Sequence, residues 1–303
     1  MKIEYIEAKQ ILIRNNNPEN WFGIHYNINP YRGCQHDCIY CDSRSDCYQI
    51  KNFKDLIVKT NAAELLDKAL SVKKRKVTIG TGSMSDPYIP AEKHIKLTEK
   101  ILQVINKYSF PFHLITKSDL ILRDIELLKE INKTFLSVCF TITTCNQSLA
   151  SIIEPKAPSP ERRLIAIEQL SKNDIYTGIL FQPILPHLLD NEDNIKELVK
   201  KAYEHGVKFI IPWFAVTLRN GQREYFFDKL GKISYELQSS YQTEAKDLYV
   251  FNSPRAKDLY RYFEYQCQNL KIAYKMEDVL NYNKLRPYKQ MTIFDLKEEK
   301  YNE

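Results

Sequence analysis

The sequence predicts an α/β protein built around a parallel β-sheet. Six apolar, β-rich runs alternate with five segments in which apolar residues recur three and four positions apart, the spacing of an amphipathic helix. Parallel strands need long crossover connections, and a helix between each pair of runs supplies them. The predicted strands cover residues 25–29, 76–81, 112–116, 135–143, 176–183 and 208–216, and the predicted helices cover residues 62–72, 91–108, 122–132, 160–172 and 191–205.

Two of the predicted helices carry end signals. Ser159, Pro160 and Glu161 form the N-cap, the first position and the first-turn acid of the fourth helix, and Gly206 follows the fifth. Six strand–helix units are too few for a closed eight-stranded barrel, so the pattern is consistent with an open doubly wound sheet or a partial barrel. In both folds the reactive groups lie at the carboxyl ends of the strands.

The chain divides into four predicted regions. Residues 1–24 lead into the sheet, and residues 25–217 form the α/β core. Residues 218–285 are rich in Tyr, Phe and charge, and we expect them to form a C-terminal extension of two or three helices. Residues 286–303 end in a charged stretch that we expect to be a flexible tail.

Composition narrows the class of protein. No stretch of the 303-residue chain approaches the roughly 18–20 apolar residues that span a bilayer, and its start lacks the apolar region of a signal peptide. We therefore expect a cytoplasmic protein with no membrane partner. Seven cysteines are too few for a disulfide scaffold, and their odd number favours metal binding or redox chemistry. A net charge of +6 is compatible with a nucleic-acid partner without requiring one.

One short loop after the first predicted strand carries three cysteines. Cys34, Cys38 and Cys41 form a C-x3-C-x2-C pattern, and their thiolates can converge on one metal centre. A [4Fe–4S] cluster normally has four cysteine ligands, so three leave one iron open to another molecule. The alternative is a zinc site completed by Cys47 or His36, although zinc sites usually pair ligands from two loops and no second C-x2-C is present.

With an aromatic residue, Tyr40, before its last cysteine, this loop resembles the cluster loop of the radical S-adenosylmethionine (SAM) superfamily. The resemblance implies an enzyme whose open iron binds the amino and carboxylate groups of SAM. It further implies that the cluster, reduced by a donor such as flavodoxin or ferredoxin, cleaves SAM to a 5′-deoxyadenosyl radical. The implied fold is a partial (β/α)6 TIM-like barrel, which agrees with the six predicted strands.

The resemblance also assigns the SAM contacts to the ends of later strands. Glycines after the second strand let backbone groups approach a ligand closely. A lysine after the third strand can pair with the SAM carboxylate, and hydroxyls after the fourth can meet the ribose. The matching cofactor-binding positions are Tyr40, Thr81, Gly82, Ser83, Lys117, Thr141, Thr143 and Gln182.

Further segments narrow the resemblance to the spore photoproduct lyase-like group, also known as DNA repair photolyase-like proteins. This implies lyase-like or transferase-like chemistry connected with DNA repair. The matching segments are residues 30–41, 115–117, 140–144, 154–155, 162–164 and 178–183.

Two positions depart from spore photoproduct lyase itself. Ser83 stands where that enzyme has the cysteine that returns a hydrogen atom to the product radical, and Asp42 replaces a tyrosine after the third cluster cysteine. A serine O–H is a far poorer hydrogen-atom donor than a thiol, so we do not expect thymine-dimer reversal by that mechanism. Ser83 and Cys145 remain the catalytic candidates, with Cys145 as a substitute donor or a buried small hydrophobe.

Three functions remain open from the sequence. The first is a radical SAM enzyme that acts on nucleic acid, which the resemblance and the basic clusters at residues 73–76 and 284–289 favour. The second is the same chemistry on a peptide or a small metabolite. The third is a non-catalytic, metal-binding nucleic-acid protein.

The C-terminal segment predicts a further partner. Its pattern of Gln, aliphatic, small polar, aliphatic and Phe resembles the short peptide by which bacterial repair proteins bind the DNA sliding clamp. The alternative is an apolar tail that folds back on its own barrel. The residues that would bind the clamp are Gln290, Met291, Ile293 and Phe294.

Overall fold

The computed structural model of the protein describes residues 2–50, 52–53 and 55–285, with side chains through residue 282. The predicted tail, and with it the clamp-binding pattern, lies outside the described residues. The strands are β1 (Ile3–Ile6), β2 (Ile13–Arg14), β3 (Tyr26–Ile28), β4 (Tyr31–Arg32), β5 (Leu56–Lys59), β6 (Ile79–Thr81), β7 (Phe112–Thr116), β8 (Leu136–Thr141), β9 (Tyr176–Phe181), β10 (Phe209–Pro212), β11 (Ala215–Thr217) and β12 (Val250–Asn252). The helices are α1 (Ala62–Ser71), α2 (Glu92–Ile95), α3 (Leu97–Lys107), α4 (Ile125–Asn132), α5 (Gln147–Ile153), α6 (Pro160–Ser171), α7 (Glu192–Glu204), α8 (Gln222–Gly231), α9 (Tyr235–Glu244), α10 (Ala256–Asn269) and α11 (Met276–Leu285).

Six parallel strands form the body of the main sheet. Their order is β10-β9-β8-β7-β6-β3, and β2 adds an antiparallel edge strand beside β3. Each helical connection therefore returns the chain to the next position in the sheet. Among the described residues β10 and β3 do not pair, so the sheet is a partial barrel rather than a closed one. The predicted partial (β/α)6 barrel is confirmed.

Side chains that alternate along the strands fill the barrel interior. The buried cluster in this interior includes Tyr176 and Phe209 from the strands and Phe22 from the segment before β3. A Cβ atom at Gly178 would come within 2.2 Å of the Phe209 ring. His113 on β7 stacks on Phe22 with ring centroids 4.1 Å apart. Burial lowers the pKa of His113 to about 3, so its ring is neutral at pH 7. The barrel interior beneath its carboxyl end is thus lined by buried apolar side chains and a neutral histidine.

The prediction of one helix over residues 91–108 is wrong. The structure has two helices, α2 and α3, which are separated at Lys96. Lys96 has φ of 54°, a left-handed conformation that ends α2. The buried Glu92 carboxylate accepts hydrogen bonds from the backbone N–H groups of Leu97 and Thr98 and so satisfies the start of α3.

The last predicted strand is also two elements. Residues 208–216 contain β10, which pairs with β9, and the start of β11, which pairs antiparallel with β12 in a separate two-stranded sheet. The chain leaves the barrel between them, at Trp213 and Phe214. The sequence prediction merged the two because the run is apolar throughout.

Other parts of the chain agree with the expected end signals or add to them. The Ser159 hydroxyl accepts a hydrogen bond from the backbone N–H of Arg162 at the start of α6, and Gly206 has φ of 78° after α7. The small sheet β1-β5-β4 and helix α5 were not predicted. The C-terminal extension holds four helices, α8 to α11, rather than two or three. No helix in the described part of the chain is long and apolar enough to cross a bilayer.

Candidate active site

A cavity of about 370 Å³ opens at the carboxyl ends of the parallel strands. The cysteine loop, which follows β4, forms one wall. The residues that follow β6, β7 and β9 form the others. Of the residues predicted from the sequence, the structure brings the following to this cavity: Cys34, Cys38, Tyr40, Cys41, Gly82, Ser83, Lys117, Thr141 and Gln182.

The cysteine loop begins at a position that only glycine fits. Gly33 has φ of 82°, and a Cβ atom there would lie 2.2 Å from the carbonyl oxygen of Asp55. The Ser85 hydroxyl donates to the Gly33 carbonyl at 2.5 Å, so the segment after β6 is tied directly to the start of the loop. These contacts fix where the first cysteine, Cys34, enters the cavity.

Arg44 holds the other end of the loop. Its Nε donates to the Cys38 carbonyl at 3.0 Å, and its guanidinium also pairs with Asp37. The same guanidinium lies between two aromatic rings, 4.2 Å from the centroid of Phe53 and 4.0 Å from that of Tyr225. Helix α8 therefore supports the loop through Tyr225, although it is far from it in sequence.

The three loop thiols are free; Cys38 is buried, and Cys34 and Cys41 are half-buried. Burial raises the pKa of Cys34 to about 12, and it raises the pKa of Cys38 and Cys41 as well. The Lys117 ammonium opposes this increase at Cys38 and Cys41. An electropositive metal centre that binds thiolates would displace these protons. The donor set is therefore chemically suited to a metal that compensates for the burial.

Three convergent thiols fit a cluster that takes three protein ligands and leaves one iron open. Among the described residues no three His, Cys, Asp or Glu side chains are gathered closely enough to hold a single metal ion. Cys47 is exposed, and its Sγ accepts from Arg219 Nη1 at 3.4 Å. His36 is already engaged, with Nε2 3.1 Å from Asp86 Oδ2. The residues present thus fit the cluster better than the zinc alternative.

Lys117 brings a cation to the cavity floor. It follows β7, and its Nζ lies 5.8 Å from the centroid of the Tyr40 ring. Burial alone would lower the pKa of Lys117, but the neighbouring Cys38 and Glu154 raise it above its usual value. The cavity therefore holds a positive charge close to the three thiols, where an anionic ligand group can pair with it.

A buried ion pair beneath the loop was not identified from the sequence as part of the site. Glu154 accepts a hydrogen bond from the Tyr40 hydroxyl and pairs with Arg163, whose Nη1 donates to the Thr141 carbonyl at 2.8 Å. Although burial would raise it, the pKa of Glu154 is lowered by Arg163 and Lys117. The ion pair thus ties the loop to the end of β8, and its carboxylate acts electrostatically on Lys117 after β7.

Asp86 is a second positioning residue that sequence reasoning missed. Its Oδ1 accepts from the Thr116 hydroxyl at 2.7 Å, and its Oδ2 accepts from the Lys117 backbone N–H at 2.7 Å. His36 approaches the same carboxylate from the cysteine loop. These partners lower the pKa of Asp86, although burial alone would raise it. The sequence signal that could have identified Asp86 is its position after β6, close to the glycines at the end of that strand.

Two predicted SAM contacts and one catalytic candidate do not reach the cavity. The Thr81 hydroxyl donates to the Ile28 carbonyl at 2.8 Å, so it faces the strand beside it. Thr143 is buried past the end of β8, where its carbonyl accepts from Asn194 Nδ2. Cys145 is buried outside the barrel, and burial raises its pKa to about 12. By contrast Gly82, with φ of 95°, lies so close to β7 that a Cβ atom would meet the Ile115 carbonyl oxygen at 2.0 Å.

The chain is similar in sequence to a known family and to individual proteins. A family model for the radical SAM superfamily matches residues 28–202, which is more than half of the chain. An uncharacterised protein of Methanocaldococcus jannaschii is 38% identical over 200 residues, which are 65% of this chain and 73% of that protein. An uncharacterised protein of Mycobacterium tuberculosis is 28% identical over 226 residues, which are 72% of this chain and 66% of that protein.

Solved structures share the fold. Spore photoproduct lyase complexed with dinucleoside spore photoproduct superposes with a TM-score of 0.66 at 15% identity, over 90% of this chain and 81% of that one. A form of the lyase with bound AdoMet gives a TM-score of 0.64 at 14% identity, over the same shares of the two chains. At this level of identity the similarity shows a shared fold. The predicted resemblance to the spore photoproduct lyase-like group is therefore confirmed at the level of the fold.

The superfamily uses a [4Fe–4S] cluster together with SAM, and solved neighbours bind AdoMet. Its members are enzymes, so the third function left open by the sequence, a non-catalytic metal-binding protein, is not supported. The family match and the cavity of three thiols at the carboxyl ends of a partial barrel lead to the same conclusion: the chain belongs to the radical SAM superfamily.

Proposed function

We propose that the protein is a radical SAM enzyme that acts on a nucleic acid. The observation that carries the proposal is the convergence of three thiols and a lysine ammonium on one cavity whose walls also include aromatic side chains. In this proposal the thiols and the lysine ammonium bind the cofactors, and the aromatic side chains indicate the substrate class. The aromatic residues on the cavity wall, apart from Tyr40, are Trp21, Tyr48 and Trp213.

In this proposal Cys34, Cys38 and Cys41 are the ligands of the cluster. Bound together and reduced by a one-electron donor such as flavodoxin or ferredoxin, the cluster and SAM supply a 5′-deoxyadenosyl radical. The chain contributes partial shielding, because Cys38 is buried, Cys34 and Cys41 are half-buried, and the barrel below them is apolar.

The remaining cavity residues orient SAM. Lys117 provides the cation for the SAM carboxylate, and Gly82 lets the ligand approach the backbone after β6 closely. Thr141 and Gln182 offer polar groups at the ends of β8 and β9. Glu154 acts as a positioning residue, because it holds Tyr40 directly and Thr141 through Arg163.

Nucleic acid is the substrate class that the cavity and the fold favour. The fold is that of a lyase solved with a dinucleoside lesion. Aromatic side chains such as Trp213 can stack on a base that is turned out of a strand. Ser83 lines the cavity. The resemblance assigns its position to the donor cysteine of spore photoproduct lyase, so the proposed substrate is a nucleic acid other than the spore photoproduct. Cys145 lies away from the cavity and is not part of the proposal.

The test is SAM turnover in the presence of candidate substrates. Anaerobically reconstituted, reduced protein is mixed with SAM and with single-stranded DNA, duplex DNA, RNA or a peptide mixture, and 5′-deoxyadenosine is quantified. We expect a nucleic acid to raise the rate several-fold over SAM alone, whereas Cys38→Ala should give none in any mixture. Stimulation by peptides with no response to any nucleic acid would refute the substrate class while leaving the radical chemistry in place.

A further inference from the structure

A second groove, of about 490 Å³, lies beside the active-site cavity and shares Trp213 with it. It forms where the chain leaves the barrel between β10 and β11 and meets the C-terminal extension. No residue of this groove belongs to the predicted cofactor site. The side chains that give it its character are Trp213, Phe214, Asn252, Lys257, Tyr260 and Arg261.

The groove has a firmly built wall. Leu259, Phe263 and Cys267 recur four residues apart on α10 and are fully buried, so they fix that face of the helix against the protein. Below the start of α10 the Ser253 backbone N–H donates to the Phe214 carbonyl at 2.8 Å, and the Ser253 hydroxyl donates to Asp190 at 2.5 Å. The opposite face of α10 is held toward the groove.

Two cations on that face stand one helical turn apart. Lys257 and Arg261 are four residues apart on α10, a rise of about 6 Å along the helix axis. Lys257 makes no ion pair with any described residue. Within the described part of the chain Arg261 pairs only with Asp258, at 3.4 Å, and both of those side chains are mostly exposed. An exposed pair at that distance contributes little, so both cations are available to an anionic ligand.

Aromatic rings lie beside the cations. The centroid of the half-buried Tyr260 ring lies 6.4 Å from the ring centroid of Phe214 and 6.2 Å from that of Phe263. Packing against these two rings therefore holds Tyr260 in place. Asn252 at the end of β12 adds an amide to the same wall. Cations that alternate with fixed aromatic faces are the composition of a surface that binds a single strand, since phosphates pair with the cations and bases stack on the rings.

We propose that this groove binds a single-stranded stretch of nucleic acid that flanks the reacting nucleotide. Lys257 and Arg261 bind phosphates, and Tyr260 offers a face on which a base stacks. Because Trp213 lines both the groove and the cavity, a strand held in the groove has its next nucleotide at the cavity mouth. This inference rests on the proposed nucleic-acid function and names the surface that gives it affinity.

The experiment is a fluorescence anisotropy titration of the full-length holoprotein with a labelled single-stranded oligonucleotide at several salt concentrations. We compare wild type with Lys257→Ala/Arg261→Ala. The matched control, Lys129→Ala/Lys133→Ala on and after α4, removes the same charge at the same spacing, but from lysines that pair with Glu126 and Glu130.

We expect the groove variant to bind about tenfold more weakly. We also expect its slope of log K against log salt to fall by about 1.4, or about 0.7 for each of two phosphate contacts. The α4 variant should change affinity less than about twofold, and Tyr260→Leu should weaken binding at least about fivefold with an unchanged salt slope. Iron content and SAM binding should stay at the wild-type level in all variants.

The failures are distinguishable. If wild type binds no nucleic acid, the groove inference and the proposed substrate class both fall. If wild type binds and the groove variant binds equally well, the groove inference alone is refuted. If an acidic peptide binds with the same dependence on Lys257 and Arg261 and the oligonucleotide does not, the occupant is an anionic protein segment and the inference is wrong.

Discussion

Glu154 and Arg163 form an ion pair in which the carboxylate and guanidinium are 2.5 Å apart and both side chains are 1% exposed. Burying such a pair costs desolvation free energy, and further hydrogen bonds must offset that cost. Here Tyr40 donates to the carboxylate, and the guanidinium donates to the Thr141 and Pro158 carbonyls. The pair thus joins the cysteine loop to the end of β8.

Arg163→Met should destabilise the protein by roughly 3–5 kcal/mol, because it leaves the Glu154 charge buried without its partner. Arg162→Met is the matched control, since the neighbouring Arg162 pairs with Asp119 at 2.7 Å but is 62% exposed, and we expect a change of about 1 kcal/mol or less. Chemical denaturation of both variants measures the difference. Equal free energies of unfolding would show that the buried pair does not support the fold.

Lys117→Met should weaken SAM binding by roughly 1.5–3 kcal/mol, the range for a hydrogen bond to a charged group, and should leave the iron content unchanged. The substitution keeps an unbranched apolar side chain beside Tyr40 and removes only the ammonium. Lys107→Met removes the same charge from an exposed lysine on α3 and should have no effect. Calorimetry of the reconstituted proteins provides the affinities, and wild-type affinity in Lys117→Met would remove this residue from the SAM site.

Single Ala variants of Cys34, Cys38 and Cys41 should lose the cluster, because each removes one of only three protein ligands. Cys47→Ala should keep about four irons per chain, since that thiol is exposed and contacts Arg219 outside the cavity. Iron and sulfide analysis after anaerobic reconstitution separates these cases. A Cys47→Ala protein without iron would show that the three-ligand assignment is wrong.

His113 gives the barrel a pH dependence. Its pKa is about 3 in the folded protein and about 6.5 when unfolded, so between those values the unfolded chain binds more protons. Stability is therefore complete above pH 6.5 and is lost as the pH falls, by about 2 kcal/mol between pH 7 and pH 5. His113→Gln should lack this part of the loss. Urea denaturation of both proteins at the two pH values tests it, and identical pH dependences would contradict a buried neutral His113.

The sequence predicts the barrel well because parallel strands and their helices leave strong periodic signals. The six-strand count follows from that pattern alone, and the resemblance placed Lys117, Thr141 and Gln182 at or near the ends of their strands, where the structure has them. The break at Lys96 was missed because a left-handed lysine leaves no trace in hydrophobic periodicity, and the start of α3 is satisfied by a carboxylate from the preceding helix.

The roles of the residues that support the site could not be predicted from the sequence for a different reason. Glu154 and Arg163 lie in segments that match the resembled group, and Asp86 follows a strand, but their roles depend on contacts between segments distant in sequence, which those signals do not reveal. Thr143 and Cys145 were placed at the cavity by extending β8, but the strand ends at Thr141 and the chain turns outward into α5. Groove residues such as Lys257 likewise become meaningful only once α10 is seen beside Trp213.

The central claim is that three loop cysteines hold a cluster whose open iron receives SAM. Electron paramagnetic resonance of the reduced, reconstituted protein, recorded at low temperature before and after SAM is added, tests this most directly. We predict the signal of a reduced [4Fe–4S] cluster in wild type, a changed signal with SAM, and no cluster signal in Cys38→Ala. A cluster signal that SAM leaves unchanged would contradict an open iron. A protein that binds zinc in place of iron would contradict the cluster itself.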